Sequence, residues 1–62
     1  MKKHVGELMA GDVIVSARLG RVVVDWVTLL PTGDYDVYYS RATRDGYGAV
    51  TVVEDAEFEV EA

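Results

Sequence analysis

Arg21-Val22-Val23-Val24-Asp25-Trp26-Val27-Thr28-Leu29-Leu30-Pro31-Thr32-Gly33-Asp34-Tyr35-Asp36-Val37-Tyr38-Tyr39-Ser40 decides the fold, because two runs rich in β-branched and aromatic residues flank one turn. Such residues suit the pleated, half-buried surface of a sheet. Pro31 cannot donate to a ladder, so it ends the first run, and Pro31-Thr32-Gly33-Asp34 has turn composition. The second run, predicted over residues 35–43, alternates: Tyr35, Val37 and Tyr39 share one face, Asp36, Tyr38 and Ser40 the other. The first run, residues 21–30, does not alternate cleanly. With Val22 and Val24 inward, a strict period of two takes Trp26 inward and Val27 outward. A bulge near Asp25-Trp26 instead turns Val27 and Leu29 inward and leaves Trp26 outside. Both arrangements stay open at this point; the bulge is preferred because second strands of small barrels are commonly bent.

Working outward, residues 12–17 form a strand with Val13, Val15 and Ala17 on one face and Ile14 and Ser16 on the other. Both faces are mostly apolar, which leaves the inward one undecided. Arg18-Leu19-Gly20 is a short hairpin connection in which Gly20 supplies positive φ. Before it, residues 7–12 read as a lead-in turn, with Leu8 packed beneath the sheet and Gly11 allowing the bend. Downstream, Asp45-Gly46 within Arg44-Asp45-Gly46-Tyr47-Gly48 is the strongest short hairpin signal. A strand over residues 49–53 follows, then one 3₁₀ turn at Glu54-Asp55-Ala56. The last strand, residues 57–61, points Phe58 and Val60 inward and Glu57, Glu59 and Glu61 outward, and its glutamates blunt edge-to-edge pairing. Residues 1–4 are expected to fray. The prediction is a single all-β domain over residues 1–62 with five strands.

Composition narrows the function classes. A chain of 62 residues buries only about 60% of its unfolded surface. It has no cysteine and a single histidine, His4, so a disulfide framework is excluded and a structural zinc site lacks its preferred ligands. Stability must come from the 50% hydrophobic content, with self-association as a supplement. The net charge of −5 works against non-specific binding to nucleic acid or anionic membranes. No apolar run has signal-peptide or membrane-spanning length, and the absence of cysteine suits a reducing compartment. A soluble cytoplasmic protein is expected.

Five strands in an up-and-down meander, with a 3₁₀ turn before the fifth, is the layout of a small SH3-like barrel. Leu8-x-x-Gly11-Asp12-Val13-Ile14 resembles the opening of many small SH3-like and Tudor-like domains. The whole pattern, ending in Glu54-Asp55-Ala56-Glu57-Phe58-Glu59-Val60, is similar to small SH3-like-barrel proteins of unknown function from actinobacterial phages and mobile elements. The resemblance spans most of the chain through turn-and-core patterns. It implies the fold, a viral origin and a place in a bacterial host's cytoplasm, and it brings no catalytic or binding residues. Trp26, Tyr35 and Tyr47 do not match, residue by residue, the aromatic cage with which Tudor domains bind methylated side chains.

Chemistry is sparse. The hydroxyls, Ser16, Ser40 and the threonines, have only His4 as a conceivable base, and a nucleophile needs its base held close. The acidic pairs Asp34/Asp36 and Glu54/Asp55 read as solvated turn residues with no asymmetry of environment for acid–base work. No enzyme, cofactor or metal is expected. The charge layout says more. In a meander, Arg18, Arg21, Arg44 and, if its side chain points outward, Arg41 gather at one end, while Asp34, Asp36, Glu54 and Asp55 gather at the other. The arginine end suits an anion or, with Tyr47 stacking, a nucleic acid; alternatively its charges pair locally, as Arg44 with Asp45. If Trp26 is outside, it joins Tyr38 and Val23 in an apolar patch of the kind used for protein interfaces. The leading expectation is a non-enzymatic protein-interaction module, a phage accessory protein engaging a host or virion protein or self-associating as a homodimer. The alternative is nucleic-acid binding at the arginine end.

Overall fold

The alternating runs all become strands in the computed structural model, which describes residues 1–41 and 46–61. β1 (Lys2–His4), β2 (Val13–Ser16), β3 (Gly20–Leu29), β4 (Tyr35–Arg41), β5 (Tyr47–Val52) and β6 (Glu57–Val60) form one open antiparallel sheet in the order β1-β6-β2-β3-β4-β5. Among the described residues the only helical piece is a 3₁₀ turn, Val5–Glu7, and no helix is long and apolar enough to cross a membrane.

Turn chemistry sets the register. Ser16 lies opposite Gly20, and its hydroxyl accepts the N–H groups of Arg18 and Leu19, both at 3.1 Å. Gly20 closes that hairpin at φ 78°, a conformation that costs a residue with a Cβ. Between β3 and β4, the Gly33 N–H donates to the Leu30 carbonyl at 2.9 Å. Pro31 therefore holds the first corner of a β-turn, and Gly33, at φ 94°, takes the left-handed position that re-enters the ladder. Asp45 of the expected Asp45-Gly46 signal lies outside the described residues. Beside it, the Arg41 N–H donates to the Gly46 carbonyl at 2.9 Å.

β3 carries the irregularity. Val24 lies opposite Tyr39 and Trp26 opposite Tyr38, so Asp25 is an extra residue with no opposite number. Before the bulge Val22 and Val24 point inward and are fully buried. After it the parity inverts: Val27 packs against the core opposite Val37, and Trp26 stands outside, 57% exposed. Leu29 also falls on the inner side, opposite Tyr35, but it projects past the core and stays exposed. On β2 the undecided face resolves with Ile14 inward and wholly buried.

Several expectations are corrected. The sheet has six strands rather than five, because residues 1–4 do not fray. Lys2 pairs opposite Glu59 and His4 opposite Glu57, the Lys3 ammonium lies 3.0 Å from the Asp12 carboxylate, and Val5 is sealed in the core. The 3₁₀ turn falls at Val5–Glu7, not at Glu54-Asp55-Ala56. His4 caps it: its Nδ1 accepts the Gly6 N–H while the Glu7 carboxylate accepts the His4 N–H, each at 3.0 Å, a reciprocal box that satisfies two free donors. Between β5 and β6 a plain β-turn suffices, closed by the Ala56 N–H on the Val53 carbonyl at 3.1 Å. Nor is the whole chain a simple meander. β2 to β5 run up and down, but β6 returns to flank β2. The glutamate strand is therefore interior to the sheet, and the edges are β1 and β5.

The concave face buries Ile14, Val22, Val24, Val37, Tyr39 and Val60, with Val5 and Leu8 closing it from the lead-in segment. Tyr39 sets a tight spot. It lies opposite Gly48, where an added Cβ would sit 2.8 Å from the Tyr39 hydroxyl and 3.0 Å from Cζ. Gly48 is thus required by close approach rather than by its backbone angles. Gly48→Ala should cost about 1–3 kcal/mol through overpacking, whereas Gly46→Ala, whose nearest neighbour is Arg41 Cδ at 3.9 Å, should cost under about 0.5 kcal/mol; urea unfolding compares the two.

The half-buried Asp12 carboxylate accepts the Met9 N–H at 2.9 Å and the Lys3 ammonium at 3.0 Å. The Met9 bond first, and Lys3 second, hold it below the ordinary carboxylate range. Its folded pKa is lower than its unfolded one, so its contribution is complete above a pH of ~4 and is lost as pH falls through the folded value. Melting temperatures followed by circular dichroism down through that range should drop less steeply in Asp12→Asn than in the native chain.

Candidate interaction face

The face of the sheet away from the core is built from the residues left over by the alternation. Strand pairing sets them in rows. Val13, Val23, Ser40 and Tyr47 make one row across β2 to β5; Trp26, Tyr38 and Ala49 make the next; Thr28, Asp36 and Thr51 the third. The bulge puts Trp26 in the second row. Its ring lies 4.7 Å, centroid to centroid, from that of Tyr38 at an interplanar angle of 36°, inside the range of favourable aromatic pairs. Val23 lies beside them, half-buried. Around this apolar centre the polar groups are already occupied: Asp25 accepts the Ser40 hydroxyl at 2.8 Å, and Asp36 accepts that of Thr51. An apolar centre with a polar rim is the anatomy of a protein interface.

The arginine end is less free than the charge layout alone implies. Arg18 is exposed. Arg21 forks onto Glu61 through two bonds of 2.7 and 3.0 Å, which hold the Glu61 carboxyl below its ordinary range. Arg41 lies opposite the buried Val22, on the inner side of the sheet. It donates to the Leu19 carbonyl at 2.9 Å and stands 5.9 Å from the Tyr39 ring centroid, capping that end of the core. Arg44 lies outside the described residues. Tyr47, 88% exposed, starts β5 at this end but faces outward. At the opposite end, the Glu54 carboxylate comes within 3.6 Å of where a Cβ on Gly33 would be, so the two acidic connections do lie together.

Among the described residues no three of the His, Asp and Glu side chains converge as a metal site. His4 Nδ1 is committed to the 3₁₀ cap.

Trp26, Tyr38 and Val23 were all indicated by the sequence and lie together. Val13 and Ala49, which complete the apolar rows, were not. Val13 was hidden because either face of β2 was apolar enough to be the core; the register set by Ser16 and Gly20 places it beside Val23. No protein-family model, curated protein or solved structure matches the chain.

Trp26 should emit at long wavelength and be quenched readily by acrylamide. Trp26→Ala should cost only about 1 kcal/mol of folding stability, the worth of the lost ring pair, as read by urea unfolding.

Proposed function

We propose that this chain is a non-enzymatic protein-interaction module with the architecture of an SH3-like barrel to which β1 is added as an extra strand. The strand order β6-β2-β3-β4-β5 and the bent β3 support that architecture. The partner docks on the outer face of β3 and β4, where the exposed Trp26 paired with the half-buried Tyr38 is the observation that carries the proposal. Binding energy at protein interfaces concentrates on a few aromatic and arginine anchors surrounded by near-neutral contacts. Trp26 and Tyr38 are the anchors here, Val13, Val23 and Ala49 the surrounding contacts. The likeness to proteins of phages and mobile elements favours a host or virion protein as the partner, met in the bacterial cytoplasm. Nucleic-acid binding at the arginine end is the weaker alternative, since Arg21 and Arg41 would have to leave Glu61 and the Leu19 carbonyl.

Affinity capture from host lysate, followed by titration of the captured protein, tests the proposal. Trp26→Ala should weaken binding by about 2 kcal/mol, roughly thirtyfold, and Tyr38→Ala by a similar amount, while Arg18→Ala leaves it unchanged. Equal affinity in all three variants removes the outer face from consideration. A mobility shift with nucleic acid that fades steeply with salt, and that Arg18→Ala reduces, would favour the arginine end.

A further inference from the structure

The two edges of the sheet are built differently. β1 is three residues long, carries Lys2 and Lys3 and runs straight into the 3₁₀ turn; short, charged edges of this sort resist pairing. β5 is six residues, Tyr47-Gly48-Ala49-Val50-Thr51-Val52, with no charge and no proline. Its hydrogen-bonding phase follows from the Arg41 N–H bond to the Gly46 carbonyl. In an antiparallel ladder, opposite residues alternate between pairs that exchange both bonds and pairs that exchange none. Gly48, Val50 and Val52, opposite Tyr39, Val37 and Tyr35, belong to the bonded class. Tyr47, Ala49 and Thr51 therefore aim their N–H and C=O groups away from β4, where they meet no backbone partner among the described residues.

We propose that β5 pairs antiparallel with β5 of a second copy of this chain, about a twofold axis through Ala49. Directly opposite residues share a face of the sheet, so outward residues must meet outward residues, and free backbone groups must meet free ones. Centring on Ala49 does both: Ala49 faces its own copy and Tyr47 faces the second copy's Thr51. Sliding the copies leaves one of the three without a counterpart inside β5. Charge agrees with this direction. An antiparallel pairing sets the end of β4 that bears Arg41, one strand from β5, beside the second copy's Glu54, which lies just past the end of its β5. The exposed glutamates of β6 lie four strands from β5, about 19 Å at sheet spacing and beyond the screening length of about 8 Å at physiological salt. The highly exposed Tyr47 gains a neighbour, and the row Trp26–Tyr38–Ala49 runs on unbroken into its copy. The use of that doubled row for docking rests on the function proposed above; the pairing itself stands on β5 alone.

Sedimentation velocity and amide exchange by NMR on the full chain test the pairing. With rising concentration the mass should climb from 6.8 kDa to twice that, and exchange at Tyr47, Ala49 and Thr51 should slow together. Ala49→Pro removes an outward-facing N–H, which an edge strand tolerates, and should give a folded monomer. Ala49→Lys should also give a monomer, because the twofold axis would set the two ammonium groups directly against each other. Val50→Pro should instead unfold the chain, because the Val50 N–H belongs to the ladder with β4. Trp26→Ala should dimerise like the native chain while losing the captured partner, so the two proposals fail separately. A native chain that stays monomeric up to millimolar concentration, or a dimer unchanged by both Ala49→Pro and Ala49→Lys, overturns the pairing.

Discussion

One extra residue in β3 sets the division between inside and outside. Without Asp25 as a bulge, strict alternation would drive the Trp26 ring into a concave face already filled by Val24, Val37 and Tyr39, and would turn Val27 out to water. With it, Val22 and Val24 serve the core on one side of the irregularity and Val27 serves it on the other. Bulges also sharpen the local twist, which curves the long strand around a core of small side chains. The same local event supplies both a sealed interior and a tryptophan exposed on the outer face beside Tyr38.

The rest of the interior depends on close fits rather than staples. A chain without cysteine has no disulfide to brace it, and the open side of the sheet is covered by its own lead-in segment. Val5 and Leu8 are placed there by the capped 3₁₀ turn, and the Lys3–Asp12 pair fastens β1 to the start of β2. Tyr39 lies flush on a glycine because a side chain at position 48 would push the ring away. Arg41 closes the end of the same column with its guanidinium over that ring and bonded to the Leu19 carbonyl.

Strong alternation and punctuation made the central strands legible. The β4 pattern, Pro31 with Gly33, and the glutamate–apolar alternation of β6 each announced their element within a residue or two. Trp26 was legible as a choice between two positions, and only the pairing of Trp26 with Tyr38 made that choice. β1 was illegible for a physical reason: Lys2, Lys3 and His4 contain no apolar residue, and their strand state comes from partners more than fifty residues later. The 3₁₀ turn was misplaced because an acidic Glu54-Asp55 pair has helix-start composition, whereas the actual cap uses a histidine nitrogen as acceptor. The arginine end looked freer than it is because Arg21 finds Glu61 across the sheet, a contact no local pattern encodes.

The interior position of β6 also bears on the order in which the chain can fold. The hairpins of β2 to β5 bring together neighbours in sequence and can close as soon as they are synthesised. β1 has no strand to lie against until residues 57–60 have emerged, since β6 occupies the place between β1 and β2. Such distant contacts carry a loop-closure cost that must be met before they stabilise anything. The place of β1 in the sheet therefore depends on β6, the last of the six strands in the chain, which alone joins the first residues to the hairpins.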